Sequence, residues 1–171
     1  DSEWAPYLFI HEFGHHFADL ADEYYTSSVA YESPDVAVEP YEPNVTALKD
    51  PGNLKWKHLL TPATPLPTGW PKAEYEEYMI AYQEKRKQMR ARNVPEQEMN
   101  KLFRDTQVFA ESLFANSGRT GVVGAFEGGQ YRAEGIYRSE QNCIMFTRTT
   151  QFCAVCAEAI ERVIDEYTRG G

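Results

Sequence analysis

Residues 9–25 read FIHEFGHHFADLADEYY. They hold three of the chain's four histidines. His11-Glu12-Phe13-Gly14-His15 is an H-E-x-x-H arrangement. On a helix, positions i and i+4 share a face, so both imidazoles can address one metal ion. Zinc suits imidazole nitrogen, takes four ligands, and in catalytic sites keeps one position open. Glu12, beside the first histidine, is placed to take a proton from water during attack on a carbonyl. A solvated charged patch is the bland alternative. It fits poorly with Ile10, Phe13 and Phe17, which predict a helix buried on more than one side. Buried histidines and a buried glutamate are costly unless something satisfies them, and a metal does so. His16 lies about 100° round the helix from His15 and is read as a non-ligand.

A third protein ligand is needed. A glycine three residues after the second histidine, with a ligand three further on, would be the usual long form. Those positions are Ala18 and Ala21 here. Asp22, Glu23 and His58 remain. An unbroken helix would carry Asp22 roughly 16 Å along the axis from His11, far beyond one metal–ligand bond. The helix must therefore end after His15 and the chain fold back within FADLA, although no glycine or proline marks the turn. Asp22 is the preferred ligand because its shorter side chain holds a metal more rigidly.

The chain has 171 residues, enough for one domain with a real core, since 42% of it is hydrophobic. A formal net charge of −9 argues against a nucleic-acid partner, because no basic stripe exists to displace counterions. No run of 18 apolar residues exists to span a bilayer. No signal peptide is visible before the motif, and the chain is expected to be the downstream part of something longer.

Most of the prolines fall between Ser27 and Pro71, which predicts a long loop of extended chain and turns, with Trp56 anchoring it to the core. Tyr75, Tyr78, Met79 and Tyr82 recur at helical spacing within residues 72–92. Pro95 stops that helix, and a second follows over residues 96–116. Residues 72–116 thus read as a helical hairpin, an insertion within a single domain of residues 1–171, whose tyrosine and methionine stripe serves packing. Short strands are expected at VVGAF (122–126) and GIYR (135–138). The segment FCAVCAEAIERVIDEY predicts an amphipathic closing helix with Cys156, Ala159, Ile160, Val163, Ile164 and Tyr167 on one face. Asn44, in an NVT sequon, is read as a turn residue.

HEFGHHFADLADEYY, then EPNVT, LKWKHLL and TPLPT, then GAFEGGQYRAEGIYRSEQNCIMFTRTTQFCAVC together resemble the bacterial IgA peptidase family of zinc metallopeptidases. The resemblance runs from the metal helix to the last cysteines and is weakest over residues 72–116. It implies an α+β zincin fold of metzincin-like type, of which this chain is the largely helical downstream part, lacking an upstream sheet. It implies a secreted or cell-surface bacterial endopeptidase acting on protein, with immunoglobulin A or another host glycoprotein as substrate. The family's acidic pair after the helix supports Asp22 as third ligand, and Met145 in NCIMF corresponds to the methionine of the turn beneath the metal. A catalytically inactive zincin-fold module that binds host protein or glycan is the rival reading, and the intact Glu12 argues against it. For a secreted chain, a structural disulfide from Cys143 to Cys153 or Cys156 is expected, with one thiol left over. A second zinc at C-x-x-C would need a fourth ligand, for which only His16 or His58 remains. Tyr24, Tyr25, Tyr131 and Tyr137 are each able to donate to a developing oxyanion.

Overall fold

The computed structural model describes residues 3–26 and 38–169. The first helix, α1 (Ala5–Ala18), carries Pro6 in its first turn, where the missing N–H costs nothing. It ends where Asp19 enters the left-handed region at φ 49°, its N–H turned back to Gly14 O. Aspartate is among the few non-glycine residues that visit this region readily, so it serves as the stop that no glycine or proline announced. The fold-back required within FADLA is formed.

The expectation of a helix buried on several sides is corrected. Within α1 only His11, Gly14 and Ala18 are buried, a single stripe at i, i+3 and i+7. Phe9 is 74% exposed, Leu8 54% and Phe13 40%. The described residues cover one face of the helix, through α4 (Ala154–Arg169) and the loop before it.

The sheet is small and antiparallel, in the order β1 (Val45–Thr46), β3 (Arg132–Arg138), β2 (Phe126–Gly129). GIYR lies within β3, but VVGAF contributes only its last residue to β2, and β1 was not foreseen. The β2–β3 hairpin turns on Gln130 and Tyr131, at φ 49° and 62°. Two positive-φ residues between paired Gly129 and Arg132 make the mirror-type turn that suits the twist of strands. Neither residue is glycine. What holds them is external: Gln130 N–H donates to Asp22 O at 2.8 Å, and Tyr131 N–H to Tyr24 O at 3.1 Å. The hairpin tip is thus bonded to the segment after α1. At the bulge in β2, Gly128 has φ 104°, and a Cβ there would sit 2.2 Å from the Tyr25 ring.

Helices α2 (Lys72–Ala91) and α3 (Glu96–Asn116) form the expected pair. Tyr75 and Tyr82 are buried and Tyr78 stacks on Phe109 at 3.6 Å, so the stripe packs. Trp56 is 1% exposed and donates to Gly124 O at 2.7 Å, anchoring the described part of the proline-rich stretch. Only the first half of α4 is buried. Val155, Cys156 and Ala159 face the core, while Ile164 and Tyr167 are exposed, so the single apolar face read from sequence is covered for part of its length. These helices and the small sheet make an α+β fold. Among the described residues no helix is long and apolar enough to cross a membrane.

Candidate metal centre

The two histidine rings are oriented by main-chain carbonyls. His11 Nδ1 donates to Ile144 O at 2.9 Å, and His15 Nδ1 to Leu20 O at 2.5 Å. A proton held at Nδ1 leaves Nε2 of a neutral ring as a bare lone pair. Those two Nε2 atoms lie 3.1 Å apart, and Asp22 Oδ1 is 3.0 Å from one and 3.1 Å from the other. Three acceptors therefore face one point with no hydrogen to share among them. A divalent cation resolves that arrangement. Ligand atoms about 2.0–2.1 Å from a tetrahedral zinc are roughly 3.3 Å apart, and the observed triangle is close to that size. His11 is buried and Asp22 nearly so, which strengthens the case, since unmatched lone pairs are costly away from water. His11, His15 and Asp22 form one of two clusters of metal-binding side chains among the described residues.

Asp22 is held on its far side as well. Its Oδ2 accepts from the Tyr131 hydroxyl, and Tyr131 and Tyr24 hydroxyls are 3.0 Å apart. Burial opposes ionisation of Asp22. The Tyr131 hydroxyl, donating to Oδ2, opposes that and favours the carboxylate. Burial first, then Tyr131 and Asp22, push the Tyr24 phenol up, so it stays a protonated donor. Tyr7, whose ring centroid is 5.6 Å from that of His11, is likewise pushed up to about 12, mainly by burial.

Beneath the rings, the turn at residues 143–147 closes with Phe146 and Thr147 N–H both on Cys143 O at 2.9 Å. It presents Ile144 O to His11 and buries Met145. Gly14 makes room for it: a Cβ there would approach Met145 Sδ, Leu20 and Phe152 to 3.1 Å each. Met145 O accepts from Glu23 N–H at 2.8 Å. Glu12 is exposed on α1, adjacent in sequence to His11. A cleft of about 320 Å³ opens beside the cluster, lined by His15, Asp22, Tyr41, Glu42, Gln130 and Tyr131 among others. A larger cavity of about 750 Å³ runs along α2 past Ile80 and Gln83 and touches none of the three candidate ligands.

Asp22 and Glu23, adjacent in sequence, diverge. Asp22 turns to the histidines, while Glu23 is fully buried against Asn44 and Cys156. His58 stands apart from both clusters and pairs with Glu158 at 2.7 Å on the surface, and His16 is exposed. The expected disulfide is corrected. Cys143, Cys153 and Cys156 are all free, with Cys143 and Cys156 sulphurs 3.7 Å apart. The three thiols converge on a common point with Glu23, where a pairwise bridge would draw one sulphur out of the group.

Asn44 is the residue that sequence reasoning misjudged. It is buried, accepts from Ala21 N–H at 2.8 Å, and donates to Ala21 O and Glu23 Oε1 at 3.0 Å each. Its amide thus pairs with the backbone of the ligand segment like a neighbouring strand. The carbonyls of Ile144 and Leu20 were also unforeseen, and no side-chain identity encodes them. Of the four tyrosines considered, Tyr131 and Tyr24 stand at the cluster. Tyr25 packs on Gly128, and Tyr137 lies in β3.

A family model described as IgA peptidase M64 matches residues 1–164. No match to the chain was found among curated proteins.

Proposed function

The chain belongs to the IgA peptidase M64 family, and from that premise we propose a zinc-dependent endopeptidase of zincin, metzincin-like architecture. On this reading a bacterium secretes it or displays it at the cell surface. Its substrates are proteins, immunoglobulin A or another host glycoprotein among them. Residues 72–116 are a helical hairpin inserted in one domain of residues 1–171. The observation that carries the reading is the convergence of His11 Nε2, His15 Nε2 and Asp22 Oδ1 within 3.1 Å, with both ring protons committed to carbonyls on the far side.

His11, His15 and Asp22 would hold the zinc, which when bound supplies Lewis acidity toward the scissile carbonyl and the attacking water. The chain's own residues do the rest. Glu12 accepts a proton from the water as its oxygen bonds to the carbonyl carbon. It returns that proton to the amide nitrogen as the carbon–nitrogen bond breaks. Ile144 O and Leu20 O keep the rings in the tautomer that leaves Nε2 free. Tyr131 keeps Asp22 ionised and aimed. Met145 fills the space under α1 that Gly14 leaves open, fixing the turn that carries Ile144.

The test is turnover of an unstructured protein by the zinc-loaded parent and by Glu12→Gln. The reading requires cleavage by the parent alone, with equal zinc in both. Zinc without cleavage in the parent would favour a non-enzymatic module.

A further inference from the structure

We propose that Glu23, Cys143, Cys153 and Cys156 form a second metal site, a closed structural zinc site beneath the first. The four donor atoms all lie within 4.8 Å of one another, and all four residues are buried. Two edges of the cluster are directly comparable with a tetrahedron. Bonds of about 2.3 Å to sulphur and about 2.0 Å to oxygen set sulphurs roughly 3.75 Å apart and sulphur from oxygen roughly 3.5 Å. Cys143 Sγ is 3.7 Å from Cys156 Sγ, and Cys156 Sγ is 3.5 Å from Glu23 Oε1.

The surroundings fit thiolates bound to a cation. Cys153 N–H donates to Cys143 Sγ at 3.3 Å, and Ser139 Oγ lies 3.3 Å from Cys153 Sγ. Cys153 immediately precedes α4 and Cys156 lies in its first turn, where the helix end favours negative charge. Asn44 aims Glu23 by donating to Oε1, while Glu23 Oε2, also buried, has no partner. Three thiolates and one carboxylate around a divalent ion leave a net charge of about −2. Arg138, whose positive charge acts on both Glu23 and Cys143, offsets part of it. It is fully buried, its guanidinium lies 3.8 Å from the Phe146 centroid, and its Nε and Nη2 are unpaired. Thiolate-rich donors select zinc among common divalent ions, and four protein ligands leave no position for water, so the role is structural.

This site supplies the fourth ligand that the C-x-x-C segment lacked in sequence. It stands independently of the peptidase reading. Elemental analysis of the purified protein should give two zinc per chain, falling to one in the His11→Ala/His15→Ala double variant and in Cys153→Ser. Should Cys153→Ser fail to fold, cobalt substitution of the parent decides the matter. A sulphur-to-cobalt charge-transfer band is expected that a His, His, Asp site cannot produce, and it should persist in the double histidine variant. One zinc in the parent with none in the histidine variant, or cobalt loading without that band, would overturn the proposal. So would a Cys143 disulfide to Cys153 or Cys156 in freshly purified, unreduced protein.

Discussion

At the scale of single residues, the candidate centre divides chemistry from support. Glu12 is exposed and is not one of the three converging donors, so Glu12→Gln should leave zinc content unchanged. Cleavage should fall by about 10²–10⁴-fold or more, the usual share of general acid–base catalysis. Paired elemental analysis and kinetics check this, and near-parent activity would remove Glu12 from the mechanism. Tyr131 is the opposite case. Its hydroxyl reaches the oxygen of Asp22 that faces away from the rings. Tyr131→Phe should therefore weaken zinc affinity by about 10–100-fold, the cost typical of losing an outer partner of a ligand. Competition with a chromophoric chelator measures it, and unchanged affinity would mean that Asp22 needs no such support.

At the scale of elements, the segment after α1 is fixed from two sides. Asn44, next to β1, pairs with Ala21, and the β2–β3 turn bonds to Asp22 and Tyr24. Asn44→Ala leaves a buried N–H, a carbonyl and the Glu23 carboxyl short of partners. It should cost at least about 2 kcal/mol in chemical denaturation, since each such group is worth about 1–3 kcal/mol. A change under 0.5 kcal/mol, on the order of an exposed substitution, would show the clamp to be idle. Gly128→Ala meets two penalties, a positive φ and a Cβ driven into the Tyr25 ring. The expected loss is about 2–4 kcal/mol, and thermal unfolding reads it. Parent-like stability would require the ring to shift freely.

Over the whole molecule, what could be read in the sequence follows the range of the interaction. The H-E-x-x-H pair was legible because helix geometry alone brings i and i+4 together. The necessary fold-back was legible from helix rise, and Asp19 achieves it by a backbone conformation that its name only permits. Asp22 and Glu23 could not be told apart with certainty, because their division depends on which side of an extended segment meets the rings. Asn44 and Tyr131 act through contacts across 23 and 109 residues that no local pattern announces, and C-x-x-C marks two donors of the cysteine cluster while Glu23 joins it from 133 residues away. The exposed face of α1 was misread for a related reason: hydrophobicity states what a face prefers, not what covers it. Phe9, at 74% exposure, should accordingly tolerate Phe9→Ser with a stability change within about 0.5 kcal/mol. A loss of several kcal/mol in denaturant titration would show that this face is covered in the protein in solution.

The carbonyl that orients His11 has a consequence for the order of assembly. His11, His15 and Asp22 fall within twelve residues, yet Ile144 O comes from 133 residues downstream. Closing so long a loop is entropically expensive and belongs late in folding. A newly made chain thus offers a cation two swivelling imidazoles long before it offers a selective geometry. Ions that outcompete zinc for loose nitrogen donors, copper above all, would have the advantage during that interval. On the proposed zinc reading, discrimination between metals would be a property acquired on completion of the fold, and a chain loaded before it folds would be exposed to capture by the wrong ion.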